Sequence, residues 1–234
     1  MTQKPVALTL GEPAGIGGEI ALKAWAALHD ELPFFLIAEA RHMQALADKS
    51  NVPTKIIGDP TEAAFVMSSA LPVLDHPLRA PVTGGVPSGQ NAVEVVAMIK
   101  RAVELTQSGQ ACAVTTNPIH KKALHDGAGF AFPGHTEYLA SLAQVERPIM
   151  MLSAPGLRVV PVTIHIAISK VPEVLSAELL EQTIRVTHRA MIEDLGIEAP
   201  RIAVAGLNPH AGEEGAMGNE EIELITPTLD KLRA

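Results

Sequence analysis

Residues 6–22 read VALTLGEPAGIGGEIAL: an apolar run, a glycine-rich turn and the first residues of a helical pattern. A strand that passes through a glycine-rich turn into a helix opens many phosphate and nucleotide sites, because backbone N–H groups at a helix start attract anions. The spacing Gly11-x-x-x-Gly15-x-Gly17 is not the G-x-G-x-x-G dinucleotide fingerprint, and no Gly-Lys-Ser/Thr follows as in a P-loop. The segment indicates either a ligand-binding loop or a tight strand–helix turn, with equal weight.

Short β-rich runs alternate with helical patterns along the rest of the chain. Strands are predicted at 6–10, 34–38, 71–74, 111–115, 148–152, 157–165 and 201–207. Apolar residues recur at helical spacing between them, in the sets Val96, Ile99 and Val103; Leu180, Ile184 and Met191; and Ile222, Ile225, Leu229 and Leu232. This alternation predicts an α/β fold with a mostly parallel sheet in three α/β/α layers.

Composition narrows the classes of function. The 234 residues, 47% of them hydrophobic, are enough to build one large α/β domain or two modest ones. A net charge of −8 without basic runs argues against nucleic acid as a partner. No apolar run reaches the length of a membrane span and the first residues lack a signal-peptide pattern, so we expect a cytoplasmic protein that does not bind a membrane. The single cysteine, Cys112, is expected to be a small buried residue.

Two segments bear on the domain organisation. Residues 75–91 (DHPLRAPVTGGVPSGQN) are rich in proline, glycine and polar residues, which predicts a long loop or a link between subdomains. The last residues, DKLRA, continue a helical pattern where a βαβ fold would next need a strand. We therefore expect residues 1–234 to form an incomplete domain.

Four polar or glycine-rich segments directly follow predicted strands. They are GEPAGIGG (11–18), TTNPIHKKAL (115–124), the histidine that ends VTIH (His165) and NPHAGEEGAMG (208–218). Ligands of open parallel sheets bind beyond the carboxyl ends of the strands, so this shared placement indicates a common site. Glu12 is expected to be a loop carboxylate without a part in the reaction.

Two of the candidate segments have both a capping and an anion-binding interpretation. Thr115, Thr116 and Asn117 are able to cap the next helix, whereas Lys121, or Lys122 beside it, suits a phosphate or a carboxylate.

The same choice arises in GHTE (134–137). Thr136 is either the N-cap of the next helix, or this helix start is a phosphate site at which His135 donates to an oxygen. The sequence alone leaves both interpretations open.

Two of the nine histidines are candidate metal ligands. His165 and His210 each lie at or just past the end of a predicted strand, where neutral imidazoles are able to bind a divalent metal. A catalytic zinc usually takes three protein ligands, and Glu213 or Glu214 is a candidate third. The alternative is that each histidine is simply packed and hydrogen-bonded.

Five motifs of the chain resemble the 4-hydroxythreonine-4-phosphate dehydrogenase family of vitamin B6 biosynthesis. In chain order they are GEPAGIGGEI, TTNPIHK, FPGHTEYLA, VTIH and GLNPHAGEEGAMGNEEI, and they extend over the whole chain. The opening loop is also similar to the GDGIGPE turn of isocitrate and isopropylmalate dehydrogenases. The resemblance implies their three-layer fold, with two subdomains around a cleft.

The resemblance implies an NAD-dependent or NADP-dependent oxidation of the C3 hydroxyl of 4-phosphohydroxy-L-threonine. Decarboxylation then gives 3-amino-2-oxopropyl phosphate. It also implies a homodimer whose interface holds a divalent metal (Zn, Mg or Co) on three histidines, two of which match His165 and His210. His135 and Thr136 match substrate-binding positions.

Members of that family are longer, and the part beyond Ala234 carries the third metal histidine. We therefore expect little dehydrogenase activity from a chain that ends at Ala234. One alternative is a sister enzyme that acts on 4-phospho-threonate or on a dihydrodiol carboxylate. Another is a non-catalytic truncated fragment that only binds a ligand or a partner.

Overall fold

The glycine-rich turn belongs to the first of two compact units, Met1–Glu146 and Arg147–Ala234, in the computed structural model, which describes residues 4–233. The first unit contains a parallel sheet of five strands in the order β3-β4-β2-β1-β5. Its strands are β1 (Val6–Thr9), β2 (Phe34–Ala38), β3 (Thr54–Ile57), β4 (Leu71–Asp75) and β5 (Ala113–Thr116). The predicted α/β fold with a parallel sheet is confirmed.

The helices of this unit are α1 (Gly17–Leu28), α2 (Ala40–Ser50), α3 (Ala63–Val66), α4 (Ala92–Gln107), α5 (Lys121–Ala128) and α6 (His135–Ala143). Helices α1 to α4 flank the sheet, and α5 and α6 pack against α4. From β1 to β2 and on to β3 the chain moves in one direction across the sheet, so right-handed crossovers place α1 and α2 on the same face. Between β3 and β4 the chain moves back, so α3 lies on the other face. The core between these layers is aliphatic, and β2 at its centre is buried over its whole length.

The strands predicted at 6–10, 34–38 and 71–74 are confirmed as β1, β2 and β4. The strand predicted at 111–115 forms as β5, two residues later at its start. The prediction of a buried Cys112 is wrong, since this thiol is exposed. The physical reason is the position of β5 at the edge of the sheet, where no other strand of residues 4–233 pairs with one side of it.

The second unit is built differently. It contains a two-stranded antiparallel hairpin, β6 (Leu152–Ala154) with β7 (Leu157–Val159), and the helices α7 (Val171–Val174) and α8 (Ala177–Glu193). A π-helical turn, Glu221–Ile225, leads into α9 (Thr226–Arg233). Among the described residues, 4–233, no helix is long and apolar enough to cross a membrane.

Three predictions in the second unit need correction. The strands predicted at 148–152 and 157–165 shrink to the short hairpin, and 201–207 forms no strand. A strand needs a partner for its backbone groups, and none within the described residues pairs with 201–207. Beyond Val159 the chain reaches Pro161, which has no N–H to donate to a ladder.

The helical periodicities are confirmed at α4 and α8. In the last helical stripe, Ile225 is buried but Ile222 is 52% exposed. The π-helical turn explains the difference, because its wider spacing rotates Ile222 away from the face that a 3.6-residue period gives it.

Residues 75–91 lie inside the first unit. After Asp75, the last residue of β4, residues 76–88 form neither helix nor strand, and a short 3₁₀ turn, Gly89–Asn91, ends the segment. Asn91 is buried, and its side-chain oxygen accepts hydrogen bonds from the backbone N–H groups of Arg79 (3.0 Å) and Ala80 (2.9 Å). Its amide nitrogen donates to the Ala80 carbonyl at 2.9 Å. The Asn91 side chain therefore supplies the hydrogen-bond partners that a neighbouring strand or helix would otherwise give to this backbone.

Replacing Asn91 by alanine is expected to lower the free energy of unfolding by about 2 kcal/mol, because three partly buried backbone groups of Arg79 and Ala80 lose their partner. Urea unfolding followed by the fluorescence of Trp25, the only tryptophan, measures this. The neighbouring variant Gln90→Ala is the control, since Gln90 is exposed and its loss should change stability by less than about 0.5 kcal/mol. Equal losses in both variants would contradict the assignment.

Candidate active site

The glycine-rich loop after β1 is shaped by close packing. Gly11 has a φ of +74°, and a Cβ at this position would lie 2.3 Å from the Pro118 carbonyl oxygen. A Cβ on Gly17 would lie 2.0 Å from the Leu10 carbonyl oxygen. Both positions therefore exclude any larger residue, which is the tight-turn interpretation of the motif.

Hydrogen bonds to Glu12 within the loop also stabilise it. Glu12 is buried, and its Oε1 accepts a hydrogen bond from the Ala14 N–H at 3.0 Å. Gly15 N–H donates to the Glu12 carbonyl at 2.9 Å. Gly15 and Ile16, just before α1, are exposed, so the outer side of the loop is open to a ligand.

The segment after β5 is bound to the segment after β1. Asn117 is buried and donates from Nδ2 to the Thr9 carbonyl at 3.0 Å, and Glu12 N–H donates to the Pro118 carbonyl at 2.9 Å. His120 caps α5, since its Nδ1 accepts from the Ala123 N–H at 3.2 Å.

The prediction that Thr115, Thr116 and Asn117 cap the helix is wrong. Pro118 and the extended backbone after it delay the helix until Lys121.

Lys121 comes close to the start of α6. A Cβ on Gly134, the residue that precedes this helix, would lie 3.7 Å from the Lys121 Nζ. Gly134 has no side chain with which to cap α6, and among the described residues no side chain caps this helix. The N–H groups of the helix start therefore lie beside the Lys121 ammonium group and the carboxylate of Glu137, whose Oε2 would be 3.6 Å from the same Cβ. The prediction of Thr136 as N-cap is wrong, because α6 begins at His135 and Thr136 lies inside the first turn.

His135 completes this group. Burial lowers the pKa of His135 below its ordinary value of 6.5, and the positive charge of Lys121 lowers it further. Its Nε2 is buried and has no hydrogen-bond partner within the part of the chain that the structure describes. A neutral imidazole, an ammonium group and a helix N-terminus together favour an anion with several oxygen atoms.

The two candidate metal ligands lie in the second unit, and both are exposed. His165 has a left-handed backbone, with φ of +58°, which is uncommon for a residue other than glycine. The Nδ1 of His210 lies 3.1 Å from Glu213 Oε1, and its backbone N–H donates to Asn208 Oδ1 at 2.9 Å.

The loop around His210 has an unusual backbone. Every residue from 211 to 215 has a positive φ, and three of these residues are not glycine: Ala211, Glu213 and Glu214. Such a run is costly and persists only where surrounding contacts impose it. Asn208 supplies some of them, because its N–H donates to Glu221 Oε1 at 3.0 Å and its Nδ2 donates to the Met217 carbonyl at 3.2 Å.

Within residues 4–233, no group of three His, Cys, Asp or Glu side chains is close enough together to hold a metal ion. The structure pairs Glu213 with the His210 ring. The described residues therefore supply imidazole donors of the right kind without assembling a complete site.

Sequence reasoning missed three interactions. They are the contact between Lys121 and the start of α6, the N-cap of α5 by His120, and the hydrogen bond from Asn117 to the Thr9 carbonyl of β1. The proline after Asn117 was a usable signal that the helix starts late. The contact of Lys121 with Gly134 had no signal, because it depends on how α5 and α6 pack.

The fold is that of an α/β protein in which the segments after β1 and β5 meet at the carboxyl ends of two parallel strands. The segments at His165 and 208–218 lie in the second unit and follow no parallel strand within residues 4–233, so the prediction that all four segments follow strands of a parallel sheet is wrong. The sequence profile of the family described as "Pyridoxal phosphate biosynthetic protein PdxA" matches residues 30–234. The chain belongs to this family.

Individual relatives agree with this assignment. The chain is 49% identical over 235 residues to the 4-hydroxythreonine-4-phosphate dehydrogenase of Ruegeria sp. (strain TM1040), covering 100% of this chain and 71% of the relative. The crystal structure of the Klebsiella pneumoniae 4-hydroxythreonine-4-phosphate dehydrogenase is similar with a TM-score of 0.90 and 35% identity, covering 99% of this chain and 72% of that one. The resemblance seen in the sequence is confirmed.

A more distant structure is the terephthalate 1,2-cis-dihydrodiol dehydrogenase of Burkholderia xenovorans LB400. Its TM-score is 0.67 at 28% identity, covering 99% of this chain and 70% of that one. All three relatives are named dehydrogenases, so the chain is a member of a family of oxidoreductases.

We expect the pKa of His135 to rise when inorganic phosphate binds, because an anion stabilises the imidazolium. The Lys121→Met variant should raise the same pKa without phosphate, since it removes a nearby positive charge. NMR titration of the His135 ring protons measures both effects.

The matched control is Lys122→Met, because Lys122 pairs with Asp126 at 2.7 Å on the exposed side of α5. This variant should leave His135 unchanged. A His135 pKa that neither phosphate nor the Lys121 variant moves would rule out an anion site here.

Proposed function

We propose that the protein oxidises 4-phosphohydroxy-L-threonine to 2-amino-3-oxo-4-phosphohydroxybutanoate with NAD, or with NADP, as the hydride acceptor. The β-keto carboxylate then loses CO₂ and gives 3-amino-2-oxopropyl phosphate, a step in vitamin B6 biosynthesis. The name of the Ruegeria relative and its 49% identity support this substrate. The observation that carries the proposal is the anion-favouring group formed by Lys121, His135 and the start of α6.

The proposed substrate matches that group chemically. Its phosphate is a multivalent anion, which suits the Lys121 ammonium group and the N–H groups at the start of α6. His135 is then a hydrogen-bond partner for a phosphate oxygen, and Thr136 in the same turn offers a hydroxyl group. The phosphate is on C4, beside the reacting C3, and takes no part in the oxidation. Its binding would hold the reacting carbon in place and contribute binding energy to catalysis.

The nicotinamide cofactor carries the oxidation itself, and the protein supplies orientation. We assign the exposed outer side of the glycine-rich loop, at Gly15 and Ile16, to the place where the substrate or the nicotinamide is bound. Backbone there approaches a ligand without interference from a side chain at Gly15.

We further propose a divalent metal (Zn, Mg or Co) bound by His165 and His210 at the interface of a homodimer. Imidazole is a common ligand for such metals, and Glu213 is placed to orient the His210 ring as an outer-shell partner. A bound divalent metal would polarise the C3 hydroxyl and lower its pKa. Since the described residues do not assemble three ligands, we assign no reaction step to it.

A sister activity on a dihydrodiol carboxylate is the second candidate, supported by the 28% identity to the Burkholderia xenovorans enzyme. The higher identity to the Ruegeria relative favours the phosphorylated amino acid.

The test is NADH formation by the protein with zinc, using 4-phosphohydroxy-L-threonine, 4-phospho-threonate and a cis-dihydrodiol carboxylate in parallel. We expect the amino-acid phosphate to give the highest kcat/KM. Replacing Lys121 by alanine should raise the KM for 4-phosphohydroxy-L-threonine, or the Kd measured by calorimetry, by about tenfold to a hundredfold. The reason is the loss of a charge-assisted contact with the phosphate. Lys122→Ala is the control and should be unchanged.

A preference for another substrate would move the assignment to the sister activity. Binding of the phosphorylated substrate without any NADH would favour the non-catalytic alternative.

The metal assignment has its own test. His165→Ala and His210→Ala should each weaken zinc binding by about tenfold to a hundredfold in a competition titration with a chromogenic chelator. His188→Ala, an exposed histidine on α8 in the same unit, should bind zinc like the unchanged protein. If both candidate variants kept full affinity, neither residue would be a ligand.

A further inference from the structure

Residues 76–88, which we call the strap, are fastened at their base to one carboxylate. Glu94 lies in the first turn of α4, and its Oε2 is 2.9 Å from the His76 Nε2. Its other oxygen, Oε1, accepts a hydrogen bond from the Arg79 Nε. The Glu94 side chain is only 15% exposed, and both of its oxygens have a partner, although the Arg79 side chain itself is exposed.

The tip of the strap reaches the glycine-rich loop. Gly85 has a φ of +78° and donates from its N–H to the Ala14 carbonyl at 2.8 Å. Gly85 lies in a turn that is closed by a hydrogen bond from the Val86 N–H to the Thr83 carbonyl at 3.1 Å. This turn directs the Gly85 N–H toward Ala14. The Ala14 N–H is already held by Glu12, so Glu12 and the strap hold the two backbone polar groups of the same residue.

A segment without helix or strand keeps its tip in one place only if its base is fixed, because each free residue adds conformational entropy. Asn91 holds the backbone at Arg79 and Ala80, and Glu94 holds the side chains of His76 and Arg79. Residues 81–88 are the part of the strap that these contacts do not hold. This part extends to Ala14, which Gly85 contacts, and returns to the 3₁₀ turn at Gly89. The clamp at the base therefore limits how far Gly85 is able to move.

We propose that Glu94 is a positioning residue which, through the strap, holds the glycine-rich loop in its ligand-binding shape. This inference rests on the proposed function, which assigns the outer side of that loop to substrate or nicotinamide. The proposal gives Glu94 no contact of its own with either ligand, because both of its oxygens are taken by His76 and Arg79.

The charge state of Glu94 agrees with this role. Burial by itself would raise the pKa of Glu94, but the hydrogen bonds from His76 and Arg79 and the charge of Arg79 outweigh it, so the pKa lies below its ordinary value of 4.5. The carboxylate is therefore ionised at neutral pH and holds its partners with charge-assisted bonds.

A purely local role is the competing explanation, since an acidic residue in the first turn also stabilises a helix through its dipole. Hydrogen exchange read by mass spectrometry separates the two. In Glu94→Gln we expect exchange about tenfold faster in peptides from both 76–88 and 11–18. The control is Glu104→Gln, an exposed residue on the same helix that faces Lys100 at 3.7 Å, and it should leave both peptides unchanged.

A second variant protects the test against loss of folding. Arg79→Met leaves α4 untouched and removes one of the two partners of Glu94, so both segments should exchange faster than in the unchanged protein but slower than in Glu94→Gln. Faster exchange in 76–88 alone, or in neither segment, would overturn the proposal.

Kinetics give the functional readout. If the unchanged protein forms NADH from 4-phosphohydroxy-L-threonine, Glu94→Gln should raise the KM for the substrate or the nicotinamide about tenfold and change kcat less than about threefold. A fall in kcat with unchanged KM values would overturn the positioning role. An inactive unchanged protein would count against the proposed function, whereas the exchange result would still decide whether Glu94 controls the loop.

Discussion

The first unit depends on the close approach of two backbone segments, at the carboxyl ends of the neighbouring strands β1 and β5. Thr9 and Thr116 stand opposite each other in the register, and the chains that leave them come into contact at Gly11 and Pro118. The buried side chain of Asn117 binds them together through the Thr9 carbonyl. A side chain at Gly11 would push the two segments apart, and with them the glycine-rich loop and the residues that lead to Lys121.

Local geometry counts for more than the overall charge of this chain. The protein carries a formal charge of −8. The start of α6 is nevertheless the positive end of a helix dipole, and the Lys121 ammonium group lies beside it. Burial keeps the neighbouring imidazole of His135 neutral, so it is able to share a site with Lys121 without charge repulsion. An acidic protein thus contains a local group of side chains and helix dipole that favours an anion.

The sequence predicted elements well where burial follows the local pattern. The runs at β1, β2 and β4 are apolar and end at turns, and the periodic stripes of α4 and α8 have one buried face. It missed β3, whose TKII sequence buries only Ile57 because the strand lies at the sheet edge. It overestimated 201–207, which is as apolar as β1, because a strand also requires a neighbouring strand and composition does not report one.

By itself the sequence determined the parallel α/β class and the family, and it proposed the residues that are candidates for ligand binding. The alternation of strands and helices and the periodicity of apolar residues follow from side-chain patterns along the chain, so they are readable without coordinates. Only the tertiary structure decided that Lys121 meets Gly134, that Gly85 meets Ala14 and that Glu94 holds both His76 and Arg79. These contacts join residues far apart in sequence, and they depend on crossover geometry and on backbone distances that local propensity does not encode.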